Sequence, residues 1–160
     1  MKALRWLLPL LVLSCRDPAP LGVTTLLGSD SPAGLLACTP LSYDSTSATI
    51  GPDGGTIQAG PHTLVVPEGA LAVPTTITAV VVPGSVNAVR FEPEGLQFDQ
   101  PASLTMSYAN CDLLGSVVPK RIAYTSGALE ILDYLPSVDD LLAQQLTGEL
   151  HHFSDYAVAW

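Results

Sequence analysis

The stretch Thr56-Ile57-Gln58-Ala59-Gly60-Pro61-His62-Thr63-Leu64-Val65-Val66 decides the fold class of this 160-residue chain. Two short runs rich in β-branched residues flank Gly60-Pro61, a turn dipeptide, and the three pieces together read as a hairpin. Asp53-Gly54-Gly55 upstream is a further turn. Downstream, Thr75–Val82 is β-branched and bounded by Pro74 and Pro83, the pattern of a buried strand. Ala88–Glu92 follows, and then Ser103–Tyr108, in which Leu104, Met106 and Tyr108 share one face. Arg121–Thr125 and Leu129–Tyr134 flank Ser126-Gly127, which reads as a two-residue hairpin turn. Ser137-Val138-Asp139-Asp140 is suited to capping one helical turn. Gln145–His152 and Tyr156–Trp160 complete the set. Many short strands separated by Gly/Pro turns predict an all-β chain, folded as an antiparallel β-sandwich.

Composition agrees and narrows the function classes. Hydrophobic residues make up 48% of the chain and charged residues 13%, with a formal net charge of −9. Apolar content this high excludes a disordered acidic tail. Six basic residues against fifteen acidic ones leave no stripe to neutralise phosphates, which excludes nucleic acid as a partner. The length suits one domain with a core of its own.

The N-terminal residues have a different character. Lys2 and Arg5 precede the aliphatic run Leu7–Leu13, which is too short to span a bilayer as a helix and fits residues 1–14 as a secretory signal peptide. Val12-Leu13-Ser14-Cys15 resembles the bacterial lipobox, which implies a lipid on Cys15 as the mature N-terminus; an ordinary cleaved signal with an incidental Cys is the alternative. On the lipoprotein reading Arg16, Arg90, Lys120 and Arg121 remain against all fifteen acids, a net charge of −11. Residues 15–47 carry Pro18, Pro20, Pro32 and Pro40 among Ser, Thr and Gly, and read as a Pro/Ser-rich tether. Leu26-Leu27 and Leu35-Leu36 interrupt it as apolar pairs able to dock on the domain. The expected division is therefore signal peptide 1–14, tether 15–47 and sandwich 48–160, in a membrane-anchored protein of the bacterial cell envelope.

An ordered set of motifs within 48–160 resembles the ZU-five domain of zonula occludens proteins, uncoordinated-five proteins and ankyrins. Gly54-Gly55-Thr56-Ile57 and Leu64-Val65-Val66-Pro67-Glu68-Gly69-Ala70-Leu71 look like its opening, and Thr75-Thr76-Ile77-Thr78 continues it. Phe91-Glu92-Pro93-Glu94-Gly95-Leu96-Gln97-Phe98-Asp99-Gln100-Pro101 resembles its middle signature, in which Gly95 can supply a positive φ before Leu96 and Phe98 turn inward. His152-Phe153-Ser154-Asp155-Tyr156-Ala157 looks like its closing strand. The resemblance implies a β-sandwich serving as a protein-interaction or structural module, here in the manner of small bacterial lipoproteins carrying this domain alone.

The same resemblance puts chemistry on one triplet. His152-Phe153-Ser154 is similar to a self-cleavage site, with Ser154 attacking the carbonyl of Phe153 and His152 taking its proton. The competing reading makes Phe153 core, Ser154-Asp155 a turn, and His152 a local hydrogen-bonding group, with Tyr156, Val158 and Trp160 facing one way. A third class is a carbohydrate or envelope-polymer binder, which requires a cleft lined by Tyr or Trp. With Cys15 lipidated, Cys38 and Cys111 form an even pair and are expected to be disulfide-bonded outside the cytoplasm. Among the histidines, His151 and His152 are neighbours on a strand and point to opposite faces, so no metal site is expected. No cofactor motif occurs, and the expected partners are an unidentified protein and, through Cys15, a membrane.

Overall fold

A computed structural model describes residues 32–113 and 118–160. The Cys15 lipidation site and the signal peptide lie outside the described residues. Eleven strands occur: β1 Asp44–Ile50, β2 Gly55–Ala59, β3 His62–Val66, β4 Thr75–Val82, β5 Ala88–Glu92, β6 Gln97–Ser107, β7 Arg121–Thr125, β8 Ile131–Leu135, β9 Ser137–Asp140, β10 Gln145–His152 and β11 Asp155–Ala159. They form two antiparallel sheets, one of order β1-β4-β5-β11-β7-β8 and one of order β2-β3-β6-β10-β9. The sheets pack face to face, so the molecule is the expected all-β antiparallel sandwich.

The alternation of side chains explains how each sheet builds the core. Ile57 and Ala59 of β2, Leu64 and Val66 of β3, Leu104 and Met106 of β6, and Leu146 and Leu150 of β10 are buried against Ile77, Ala79 and Val81 of β4 and Phe91, Ile122, Tyr156 and Val158. β4 buries one face only, because edge strand β1 leaves the other toward solvent. There Ser47 and Thr78 hydroxyls meet at 2.8 Å, and Thr49 and Thr76 at 3.1 Å, as cross-strand pairs. β11 is buried on both faces: Tyr156 and Val158 point into the main core, while Ala157 and Ala159 join Ala88, Ala123, Leu35 and Val86 in a second, smaller cluster.

Turn chemistry sets the corners. Gly54 takes φ 74°, and a Cβ there would stand 2.5 Å from the carbonyl oxygen of Val66. Gly95 takes the expected positive φ, at 78°. The β7–β8 connection is longer than two residues. Leu129 N–H donates to Ser126 O, Ser126 N–H donates to Glu130 O, and Leu129 itself lies at φ 62°, so a three-residue loop with a left-handed third position does the work assigned to Ser126-Gly127. Ser137–Asp140 is a strand paired with β10 rather than a helix start, and the turn it caps comes after it. There the Asp140 carboxylate accepts the N–H groups of Leu142 and Ala143. β6 runs six residues further back than the alternation of Leu104, Met106 and Tyr108 shows, because three consecutive exposed positions ending at Pro101 shift its register with β10.

The folded unit begins well before Ala48. Leu36 N–H donates to Val158 O, Cys38 N–H to Ser85 O and Thr39 N–H to Asn110 O, while Leu35 bridges Ala159 beyond the end of β5. Residues from about Gly34 therefore belong to the sandwich instead of a free tether, and Leu35-Leu36 dock as apolar pairs do. Cys38 and Cys111 are disulfide-bonded across an isolated antiparallel bridge, closing a 73-residue separation.

These contacts give the sandwich two poles. The proximal pole, where the described chain starts, holds Leu35, the disulfide, Asn87, Trp160 and the β9–β10 turn. At the distal pole lie Asp155, Arg90, Thr125 and the Phe153–Ser154 segment.

Candidate functional site

The segment between β10 and β11 reverses the chain at the distal pole, and every part of it is held. Phe153 is buried, stacked on Phe91 at 5.1 Å and edge-on to Phe98 at 5.0 Å. Its N–H donates to Leu96 O at 2.8 Å, and its carbonyl accepts the N–H of Gly95 at 3.0 Å. Ser154 O accepts Phe91 N–H, and the Tyr156 hydroxyl donates to His152 O at 2.6 Å. The Gly95 turn and Leu96, which the sequence placed in a middle signature, thus serve as the cradle of the Phe153–Ser154 peptide. No left-handed backbone occurs at 152–154; among described non-glycine residues that region holds Leu129 and Gln144.

Two hollows open on either side of this segment. The larger, of about 410 Å³, is lined by Arg90, Glu92, Glu94, Tyr124, Thr125 and Ser154. Across it Arg90 makes a two-pronged pair with Asp155, Nε to Oδ1 at 2.8 Å and Nη2 to Oδ2 at 2.7 Å. The carboxylate holds the guanidinium above its already high pKa. Thr125 presents a buried hydroxyl without a partner in this wall. The smaller hollow, of about 220 Å³, lies between β8 and β10 and is lined by Tyr124, Asp133, Tyr134, Glu149, His151 and His152.

The triplet is divided between them: Ser154 opens on the larger hollow and the His152 ring on the smaller. His152 Nδ1 stands 3.4 Å from Phe153 O, and its ring meets Tyr124 edge-on at 5.2 Å. No hydrogen bond joins His152 to Ser154 among the described residues. The local features of the competing reading are present in part. Phe153 is core and His152 contacts the adjacent carbonyl, while Asp155 opens β11 and binds Arg90 in place of forming a turn. Aromatic faces for stacking a sugar are few here. Phe91, Phe98, Phe153, Tyr108 and Tyr156 are buried, and Tyr134 is covered by the Arg121 guanidinium at 3.9 Å.

Two further polar groups are buried away from these hollows. His62 is buried at the proximal end of β3, where its Nδ1 accepts Ser107 N–H and its Nε2 has no partner; burial lowers its pKa to about 4. Tyr108 is buried in its ring and donates its hydroxyl to Asp139, and desolvation followed by that carboxylate pushes its pKa upward. Neither stands in a motif, so only the fold reveals them. Among the described residues no group of three or more His, Cys, Asp or Glu is placed to hold a metal ion.

Compared with models of known protein families and with curated proteins, the chain matches none.

Proposed function

We propose that this protein is a ZU-five-like, non-enzymatic lipoprotein of the cell envelope, held by a lipid on Cys15, whose sandwich acts as a protein-interaction or structural module. The observation that carries this reading is the fastening of the proximal pole. The Cys38–Cys111 disulfide and the Leu35–Ala159 bridge secure the end of the leading segment to the sandwich, a staple suited to an oxidising compartment and to a domain pulled through its N-terminal side. The distal pole then faces away from the attachment, leaving its rim and the edge strands β1, β2, β8 and β9 for a partner. Two experiments test it together. A Cys15→Ser variant is expected to leave the membrane fraction, and unchanged fractionation refutes the anchor. Chemical cross-linking on intact cells, with fluorophore-free short linkers at the distal pole, is expected to give one discrete protein adduct, and its absence counts against an interaction module.

A second reading has one specific observation in its favour: the Phe153 carbonyl accepts the Gly95 N–H, a donor placed to stabilise an oxyanion there. In self-cleavage the Ser154 Oγ–C bond to Phe153 forms as the peptide C–N bond breaks. The hydroxyl proton passes to the freed amine, and water then opens the ester. The intact mass of the denatured wild-type protein decides: loss of Ser154–Trp160, abolished by Ser154→Ala, supports cleavage, and an intact wild type rejects it.

A further inference from the structure

The proximal pole differs from the distal one in the surface it offers. Its β9–β10 turn carries Leu142 at 98% exposure and Leu141 at 53%, with Val138 exposed on the adjoining strand β9 and Val118 ahead of β7; Tyr43 is exposed on the opposite edge, and Val73 and Leu132 in the distal half. Leu141 and Leu142 stand at the tip of the β9–β10 turn, beside one another, where nothing in the sandwich requires an apolar residue. That turn is linked inward through a short relay. Asp140 caps it, Asp139 accepts the Tyr108 hydroxyl and the Lys120 N–H, and the Lys120 ammonium lies 6.0 Å from the Tyr108 ring and 5.2 Å from the Trp160 ring. Leu142 and Trp160 therefore belong to one end of the molecule.

Charge is distributed in the opposite sense. Asp53, Glu68, Glu92, Glu94, Asp99 and Glu130 all lie in turns or strand ends at the distal pole. Three carboxylates at the proximal pole are engaged by neighbouring donors, while Asp112, beside the disulfide, is exposed. Asp44 accepts Gly60 N–H at 2.6 Å, Asp139 is engaged by Tyr108 and Lys120, and Asp140 by the turn amides. With Asp140 engaged by the turn amides, the exposed Leu141 and Leu142 side chains are the apolar feature of this turn. An exposed Leu pair at a turn tip, with a Trp at the same end, is a composition suited to the boundary of a bilayer.

The described chain also starts here, with Trp160 N–H donating to Gly34 O. The 17 residues from Cys15 to residue 31 reach at most about 60 Å when fully extended. An anchor on Cys15 would hold the proximal pole near lipid permanently, so contacts too weak to recruit a free protein suffice to orient a tethered one.

We infer that the proximal pole, through Leu141 and Leu142 with the half-buried Trp160 at the same end, rests on the surface of the lipid bilayer and orients the sandwich with its acidic pole outward. This inference rests on the anchored reading above, and the experiment separates the two. Protein beginning at Cys15 is coupled through that thiol to a maleimide-headgroup lipid in phosphatidylcholine vesicles, which supplies the anchor whether or not the cell does. Trp160 is then the one tryptophan present. Vesicles with brominated acyl chains are expected to quench its fluorescence. A polarity-sensitive dye on Ala143→Cys is expected to shift to the blue, whereas the same dye on Glu94→Cys stays at its value in water. The Leu141→Asp/Leu142→Asp variant, exposed in both positions and so expected to fold, should lose the quenching while remaining coupled. Unquenched Trp160 with both dyes in water overturns the orientation. A blue shift at Ala143 that appears without vesicles and grows with protein concentration overturns it too, assigning the pole to a second copy of the chain. The mass of the protein extracted from its native membrane tests the lipid on Cys15 separately.

Discussion

Acidification should destabilise this protein through His62 well before most carboxylates protonate. The ring is 1% exposed, accepts Ser107 N–H through Nδ1 and carries its proton on an Nε2 that has no partner. Burial lowers its pKa from 6.5 to about 4. The native state therefore resists a proton that the unfolded chain accepts, and stability is full above pH 6.5 and falls as the pH drops toward 4. Linkage gives a loss of about 1.4 kcal/mol at pH 5.5 and about 3 kcal/mol at pH 4, a large share of the stability of a domain this size. Urea unfolding between pH 7.5 and 4, followed by Trp160 fluorescence, measures it. Carboxylates titrate in the lower part of that window, so the decisive quantity is the difference between wild type and His62→Leu. The variant starts lower at pH 7.5, because Ser107 N–H loses its acceptor at a cost of about 1–3 kcal/mol. It lacks the titrating ring, so the gap must shrink by about 3 kcal/mol by pH 4 and can change sign. Parallel curves across the window would refute the burial argument.

Three further outcomes follow from the turns and the disulfide. Reducing or replacing Cys38–Cys111, which spans 73 residues, should cost about 4 kcal/mol by chain entropy, measured as a fall in the urea midpoint; two reactive thiols in denatured, unreduced protein would contradict the bond itself. Gly54→Ala should lower the melting temperature sharply, because its Cβ meets Val66 O at 2.5 Å and the backbone has φ 74°; a shift of under a degree would show that the turn relaxes freely. Gln144→Gly should raise stability by about 0.5–1 kcal/mol, since Gln144 sits at φ 53°, where only glycine is free of Cβ repulsion; a destabilised variant would mean that its side chain contributes more than its backbone strain removes.

Which of these features could be read in advance depends on how local their cause is. β4, β5 and β7 have the boundaries expected from alternation and flanking Pro or Gly, because strand period and turn residues act over a few positions. The β7–β8 loop departs from a two-residue turn for a non-local reason. Leu129 tolerates φ 62° while its side chain packs partly against the Ala123, Ala157 and Ala159 cluster, a gain that no turn propensity contains. The sandwich begins ahead of Ala48 on similar grounds. Leu35 and Cys38 lie in a Pro-rich, aperiodic stretch, and their pairing partners, Ala159 and Cys111, are distant in sequence.

The site shows the same limit more sharply. His152 and Ser154 are two apart, a spacing that an extended strand would place on one face, which invites a joint chemical role. The chain instead reverses at Phe153–Ser154 between β10 and β11, giving His152 to the hollow beside Tyr134 and Ser154 to the hollow beside Arg90. What actually converges at the distal pole comes from separate strands: Arg90 of β5, Asp155 of β11 and Thr125 of β7, brought level by the registers Asp155↔Arg90 and Asp155↔Thr125. A lone Arg in β5 carries no signal of its partner 65 residues away. Side chains one apart in sequence are the least able to act together in a sheet, and those sharing a register across strands are the most able. Functional chemistry in this fold is therefore to be sought across the strands, where sequence order says least.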